Sequence, residues 1–179
     1  MILNKIQNII YSSFQTNVKG RKFTLKESSK SAKCITAKFE AEGDYIVFKF
    51  DQAIKRNGIK IQTLIPFLED GNSQCICDYL IFYLKPNGSL FAVICNMKSV
   101  NKSNNIEQIN AGKILANFIF ETAKRINPLE FENVSLNTTQ VLFSYKNLYQ
   151  GGKNNQSGII NLVSNSEISQ TFIFEHKCK

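Results

Sequence analysis

Three side chains raise the question of chemistry: Asp78, Asn96 and Lys98. They offer a carboxylate, an amide oxygen and an ammonium. Oxygen donors suit a hard divalent cation such as Mg²⁺, and an ammonium beside them offsets charge that builds up on a phosphate. Whether the three act together depends on the elements that position them.

They lie in residues 75–99, where two long apolar runs flank Pro86-Asn87-Gly88. This stretch reads as a β-hairpin. A three-residue loop of this kind is a type I turn closed by a left-handed residue, a conformation Gly88 adopts without steric cost. Lys85 then lies opposite Ser89, Leu84 faces Leu90, Phe82 faces Ala92, Leu80 faces Ile94 and Asp78 faces Asn96. Side chains alternate with period two, so Asp78, Asn96 and Lys98 share one face. A two-residue Asn-Gly turn would shift the register by one and separate Asp78 from Asn96. Both faces of the pair are otherwise apolar, as in central strands covered on both sides.

The remaining elements follow from periodicity. Ile2, Leu3, Ile6, Ile9, Ile10 and Phe14 have helical spacing. Residues 17–33 are basic and weakly periodic. They read as a solvated loop, or as a flexible arm that touches phosphates through Lys19, Arg21, Lys22, Lys26, Lys30 and Lys33. Residues 34–40 and 44–50 are expected as antiparallel strands joined at Ala41-Glu42-Gly43, and residues 59–65 as a third strand stopped by Pro66. Asn104 with Glu107 signals a helix start, and Asn127-Pro128 ends that helix. Its apolar stripe runs through Ile106, Ile109, Gly112, Leu115, Ala116, Ile119, Ala123 and Ile126. Gly112 within the stripe costs about 1 kcal/mol against Ala, which a close approach of helix to sheet would justify. A strand follows around residues 140–145. Residues 146–157 form a Gly/Asn-rich loop, and residues 158–164 and 168–175 a terminal hairpin. The expected fold is α/β, a mixed central β-sheet flanked by helices with a C-terminal β-hairpin extension. One domain of 179 residues is expected, comprising an N-terminal helix and basic arm (1–33), a core (34–145) and the hairpin (146–179).

An Asp opening one core strand, Asn96-Met97-Lys98 closing its hairpin partner, then a helix and a strand: across residues 75–145 this order resembles the restriction-endonuclease-like, PD-(D/E)XK, nucleases. The resemblance implies a restriction-endonuclease-like core and metal-dependent phosphodiester hydrolysis on DNA, with Mg²⁺ or Mn²⁺ as cofactor. It makes Asp78 the main metal ligand, the Met97 carbonyl a further ligand and Lys98 the catalytic lysine. Gln108 resembles a Gln that some of these nucleases place near the site. The departure is Asn96, where the family prefers Glu or Asp. An amide oxygen can ligate a metal but brings no charge, so Asp78 alone supplies the negative charge. Two readings stand. One is a variant nuclease that recruits another carboxylate, with Glu40 and Glu42 as upstream candidates. The other is a nuclease fold that has lost cleavage and kept nucleic-acid or partner binding. Each residue also has a plainer reading: Asp78 as a strand start, Asn96 and Lys98 as a strand end meeting solvent, Gln108 as a surface helix residue.

A formal charge of +8 fits a polyanionic partner. DNA is expected before RNA, with a protein partner or a homodimer as further possibilities. No run is long enough to cross a membrane and no signal peptide is evident, so a cytoplasmic location without membrane attachment is expected. The odd cysteine count, 5, fits a reducing compartment. Cys75-x-Cys77 with Cys95 lacks zinc-site spacing. Glu175-His176-Lys177 also matches E-x-K, but no helix follows it and no well-placed Asp precedes it. His176, the only His, has no evident nucleophile beside it.

Overall fold

The computed structural model describes residues 1–27, 36–50, 54–56, 59–61, 76–98, 105–144, 159–163 and 171–178. Helix α1 spans Ile2–Asn8 and a 3₁₀ turn Ser12–Phe14. Strands β1 (Lys22–Lys26), β2 (Thr36–Glu40), β3 (Asp44–Lys49), β4 (Ile54–Arg56), β5 (Ile59–Ile61), β6 (Tyr79–Leu84) and β7 (Leu90–Lys98) follow. Then come α2 (Asn105–Ile126), β8 (Leu136–Ser144), β9 (Ile159–Val163), β10 (Thr171–Ile173) and the short α3 (Phe174–Lys177). The chain is α/β. Its main sheet has strand order β3-β6-β7-β8-β9, and a second sheet has order β1-β2-β10. Both are mixed: β3, β6 and β7 run antiparallel in sequence, β8 and β9 add in parallel, and β10 adds in parallel to β2. Strands β4 and β5 form a separate antiparallel pair.

The central hairpin forms as its turn dictates. Gly88 has φ +86°, its N–H donates to the Lys85 carbonyl at 2.9 Å, and the Lys85 N–H donates to the Ser89 carbonyl at 2.9 Å. Leu84 pairs with Leu90, Phe82 with Ala92 and Leu80 with Ile94, the three-residue-loop register. Both faces are buried. Leu80, Phe82, Ala92 and Ile94 pack against α1 and α2, while Tyr79, Ile81, Tyr83, Val93 and Cys95 pack against the second sheet.

That second sheet corrects the expectation of helices on both faces. The helices cover one face of the main sheet and β1, β2 and β10 cover the other. The reason lies in Lys22-Phe23-Thr24-Leu25-Lys26, where strict alternation buries Phe23 and Leu25 and exposes the lysines. These residues make a half-buried strand, where the sequence reading had a loop or arm. Strands β2 and β3 are not neighbours either. Ala41-Glu42-Gly43 carries the chain from one sheet to the other.

The terminal hairpin is a further correction. Strand β9 extends the main sheet beside β8, while β10 pairs with β2 in the second sheet. Each satisfies an otherwise open strand edge, and Phe172 and Phe174 are fully buried between the sheets. The expected loop over residues 146–157 lies outside the described residues.

The last turn is pinned by a polar contact. The Glu175 carboxylate accepts the Tyr83 hydroxyl and the Glu42 N–H. Burial, and then the bond to Glu175, push the Tyr83 hydroxyl well above its ordinary 10.0. Burial would raise Glu175, but the hydrogen bonds from Tyr83 and Glu42 hold it below its ordinary 4.5. The stabilisation from Glu175 is therefore present above pH 4.5 and lost as pH falls through its lowered folded value. That from Tyr83 is present below pH 10.0 and lost as pH rises toward its raised folded value. Urea melts across pH are expected to show both losses. Glu175→Gln should flatten the acid side and Tyr83→Phe the alkaline side. Unchanged profiles would contradict the assignment.

Candidate active site

The three sequence-marked positions lie at one end of the β6–β7 pair. The regular ladder ends at Tyr79 opposite Cys95. Beyond it, side chains replace backbone as partners. The Asp78 N–H donates to the Asn96 side-chain oxygen at 3.2 Å, and the Met97 N–H donates to Asp78 Oδ2 at 2.5 Å. Each side chain thus caps the backbone of the opposite strand. Asp78 is 7% exposed and Asn96 is fully buried.

Helix α2 supplies the third wall. Asn96 Nδ2 donates to Gln108 Oε1 at 3.3 Å. The helix lies close because position 112 carries no side chain. A Cβ there would sit 2.6 Å from Ile94 Cγ2 and 2.7 Å from Cys77 Sγ. The structure therefore brings together Asp78, Asn96, Met97 and Gln108. In an extended strand the N–H and C=O of one residue point to the same side. The Met97 N–H faces Asp78, so the Met97 carbonyl lies on that side too. The Lys98 backbone continues β7 and pairs with buried Ser144 of β8. Its side chain lies outside the described residues.

Glu40 and Glu42 do not join this set. Asp44 pairs with Leu84, so Glu42 lies near the opposite end of β6 from Asp78. At about 3.3 Å per residue that is on the order of 20 Å away. Both carboxylates are engaged there with Arg21: Nε to Glu40 at 3.2 Å and Nη2 to Glu42 at 2.6 Å. Among the described residues no group of three or more His, Cys, Asp or Glu side chains is placed to hold a metal.

The basic positions divide between the two ends of the molecule. Lys19, Arg21, Lys22 and Lys26 are exposed. Arg21 and Lys22 pair with the distant glutamates, Lys22 Nζ lying 3.7 Å from Glu40. Lys26 is at the Asp78 end, where its carbonyl accepts the Tyr79 hydroxyl at 2.6 Å. Lys30 and Lys33 lie outside the described residues. Sequence reading missed Lys49, which pairs with Tyr79 across β3 and β6 and holds its ammonium 5.4 Å from the Tyr79 ring centroid. Its signal was its place at the close of an apolar strand, one residue from the register of Asp78.

Among the described residues no cysteine belongs to a group placed to hold a metal. Cys77 and Cys95 are buried on opposite faces of the main sheet, and both are reduced thiols. Burial pushes the Cys178 thiol up to about 11, so it stays protonated near neutrality. Cys34 and Cys75 lie outside the described residues, and His176 is exposed. Among the described residues, no helix is long and apolar enough to cross a membrane. Comparison of the chain with protein-family models, with curated proteins and with solved structures gave no match.

Proposed function

We propose that the chain is a metal-dependent nuclease-like protein acting on DNA, built on a restriction-endonuclease-like core. One observation carries the proposal. Asp78 meets Asn96 and Met97 at the ends of two central antiparallel strands, with Lys98 next along β7, followed by a crossover helix and a parallel strand. The succession α1, β3, β6, β7, α2, β8 supports the same reading, because β3 to β8 are spatial neighbours in that order.

The donor set fits a single hard cation, with Asp78 and the Met97 carbonyl as protein ligands and water completing the shell. When bound, Mg²⁺ or Mn²⁺ would polarise the scissile phosphate and acidify a ligated water. The chain's own residues do the rest. Asp78 fixes the ligand side of β6 through its bond to Met97. Gln108 and Asn96 hold the start of α2 against β7. Lys98 supplies the ammonium that offsets phosphate charge. Lys26 and Lys49 place further positive charge at the same end for the DNA backbone.

A second reading has its own support. The Asn96 amide is engaged on both atoms, by the Asp78 N–H and by Gln108. It acts as a clamp and adds no charge, which favours a nuclease-fold module that binds nucleic acid, or a protein partner, without cutting. Incubation of supercoiled plasmid with Mg²⁺ or Mn²⁺ separates the two. The first reading expects nicking that Lys98→Ala abolishes. Salt-sensitive DNA binding without nicking selects the second. Nicking that survives both Lys98→Ala and Asp78→Ala contradicts the site, and absence of DNA affinity at low salt contradicts DNA as the partner.

A further inference from the structure

Helix α2 buries one face through Ile109, Ala116, Ile119, Phe120 and Ala123. Its opposite face carries two large apolar side chains among charged ones. Ile114 is 71% exposed and Phe118 69%, while Ile106 and Ile126, expected on the buried stripe, are more than half exposed on the helix's two flanks. Ile114 and Phe118, one turn apart, form an exposed apolar patch with a charged rim, as an interaction site does. The residues along it, Glu107, Ala111, Ile114, Phe118, Glu121 and Arg125, fall at the alternating three- and four-residue spacing of a coiled-coil seam.

We infer that this face pairs with α2 of a second copy of the chain, antiparallel about a two-fold axis level with Ala116. The sequence of the face is self-complementary in that register. Ile114 meets the partner's Phe118. Glu107 meets the partner's Arg125, and the two-fold axis repeats each pairing. Half-buried Ala111 leaves room for the stem of the partner's Glu121. A contact in which one patch serves both sides is what a two-fold dimer requires. A different protein would have no reason to find apolar residues matched to apolar ones and acid to base about the helix's own midpoint. Glu107 and Arg125 are available for this role, because among the described residues neither is in an intrachain ion pair. The dimer stands apart from the nuclease reading, since none of these side chains belongs to the Asp78 set.

Sedimentation velocity of the full chain, from micromolar to several hundred micromolar, tests it. A reversible monomer–dimer equilibrium is expected. Phe118→Lys should raise the dimer Kd on the order of a hundredfold, since a central aromatic anchor is lost from both sides. Arg125→Glu should raise it on the order of tenfold by placing like charges at both ends. The double variant Glu107→Arg/Arg125→Glu should restore it, a rescue that misfolding cannot mimic. A monomer at every concentration overturns the inference. So does a dimer indifferent to Phe118→Lys, or one that the double charge exchange fails to rescue.

Discussion

Asp78→Ala is expected to lower folding stability by about 1–3 kcal/mol and, on the proposed nuclease reading, to abolish metal-dependent DNA cleavage. The stability loss follows from the Met97 N–H, which donates to Asp78 Oδ2 in a buried setting. Without that acceptor the N–H is left unpaired, and a buried donor without a partner carries its full desolvation penalty. On that reading the loss of cleavage follows from charge, because Asp78 brings the carboxylate of the proposed site. Asp78→Asn separates the two effects. An amide oxygen still accepts from Met97, so most of the stability returns while the charge does not. Urea melts of both variants, beside a plasmid-nicking assay, check this. Equal destabilisation by Ala and Asn would contradict the role of the Oδ2 bond.

Gly112→Leu is expected to cost about 2–3 kcal/mol in the same melts, although Leu is the better helix former by roughly 1 kcal/mol. A Cβ at this position already falls 2.6 Å from Ile94 Cγ2 and 2.7 Å from Cys77 Sγ. The rest of a Leu side chain meets the same closed surface. Relief comes by lifting α2 off the sheet, which draws Gln108 away from Asn96 and loosens the cap on Asp78. The variant should therefore also weaken metal-dependent activity at temperatures where it stays folded. A gain in stability would show that propensity outweighs packing here and would contradict the close approach of α2.

The parts of this fold that were legible in the sequence rest on local signals. Pro86-Asn87-Gly88 set the hairpin register, and that register put Asp78 opposite Asn96. The apolar stripe and Asn127-Pro128 marked α2, and Gly112 announced its close contact. The misread parts depend on distant partners. Strand β10 pairs with β2 more than a hundred residues earlier, and no turn records that choice. Ala41-Glu42-Gly43 has a hairpin's length, yet it joins two sheets. Strand β1 hides because only Phe23 and Leu25 carry its alternation among lysines. At the site, the residue types were visible, but their mutual use was not. Nothing in the sequence shows that the Asn96 amide is spent on the Asp78 N–H and on Gln108, or that Glu40 and Glu42 pair with Arg21 at the far end of the sheet.

The most direct test of a divalent-cation site at Asp78 is a titration with Mn²⁺, followed by the resonance signal of the free ion, on the wild-type chain and Asp78→Asn. The substitution keeps the Met97 hydrogen bond and removes only the charge. The expected result is a single Mn²⁺ bound by the wild type, with affinity falling at least about tenfold in the variant, a difference of about 1.4 kcal/mol. Equal binding by the two proteins, or no binding by the wild type at millimolar metal, would contradict it.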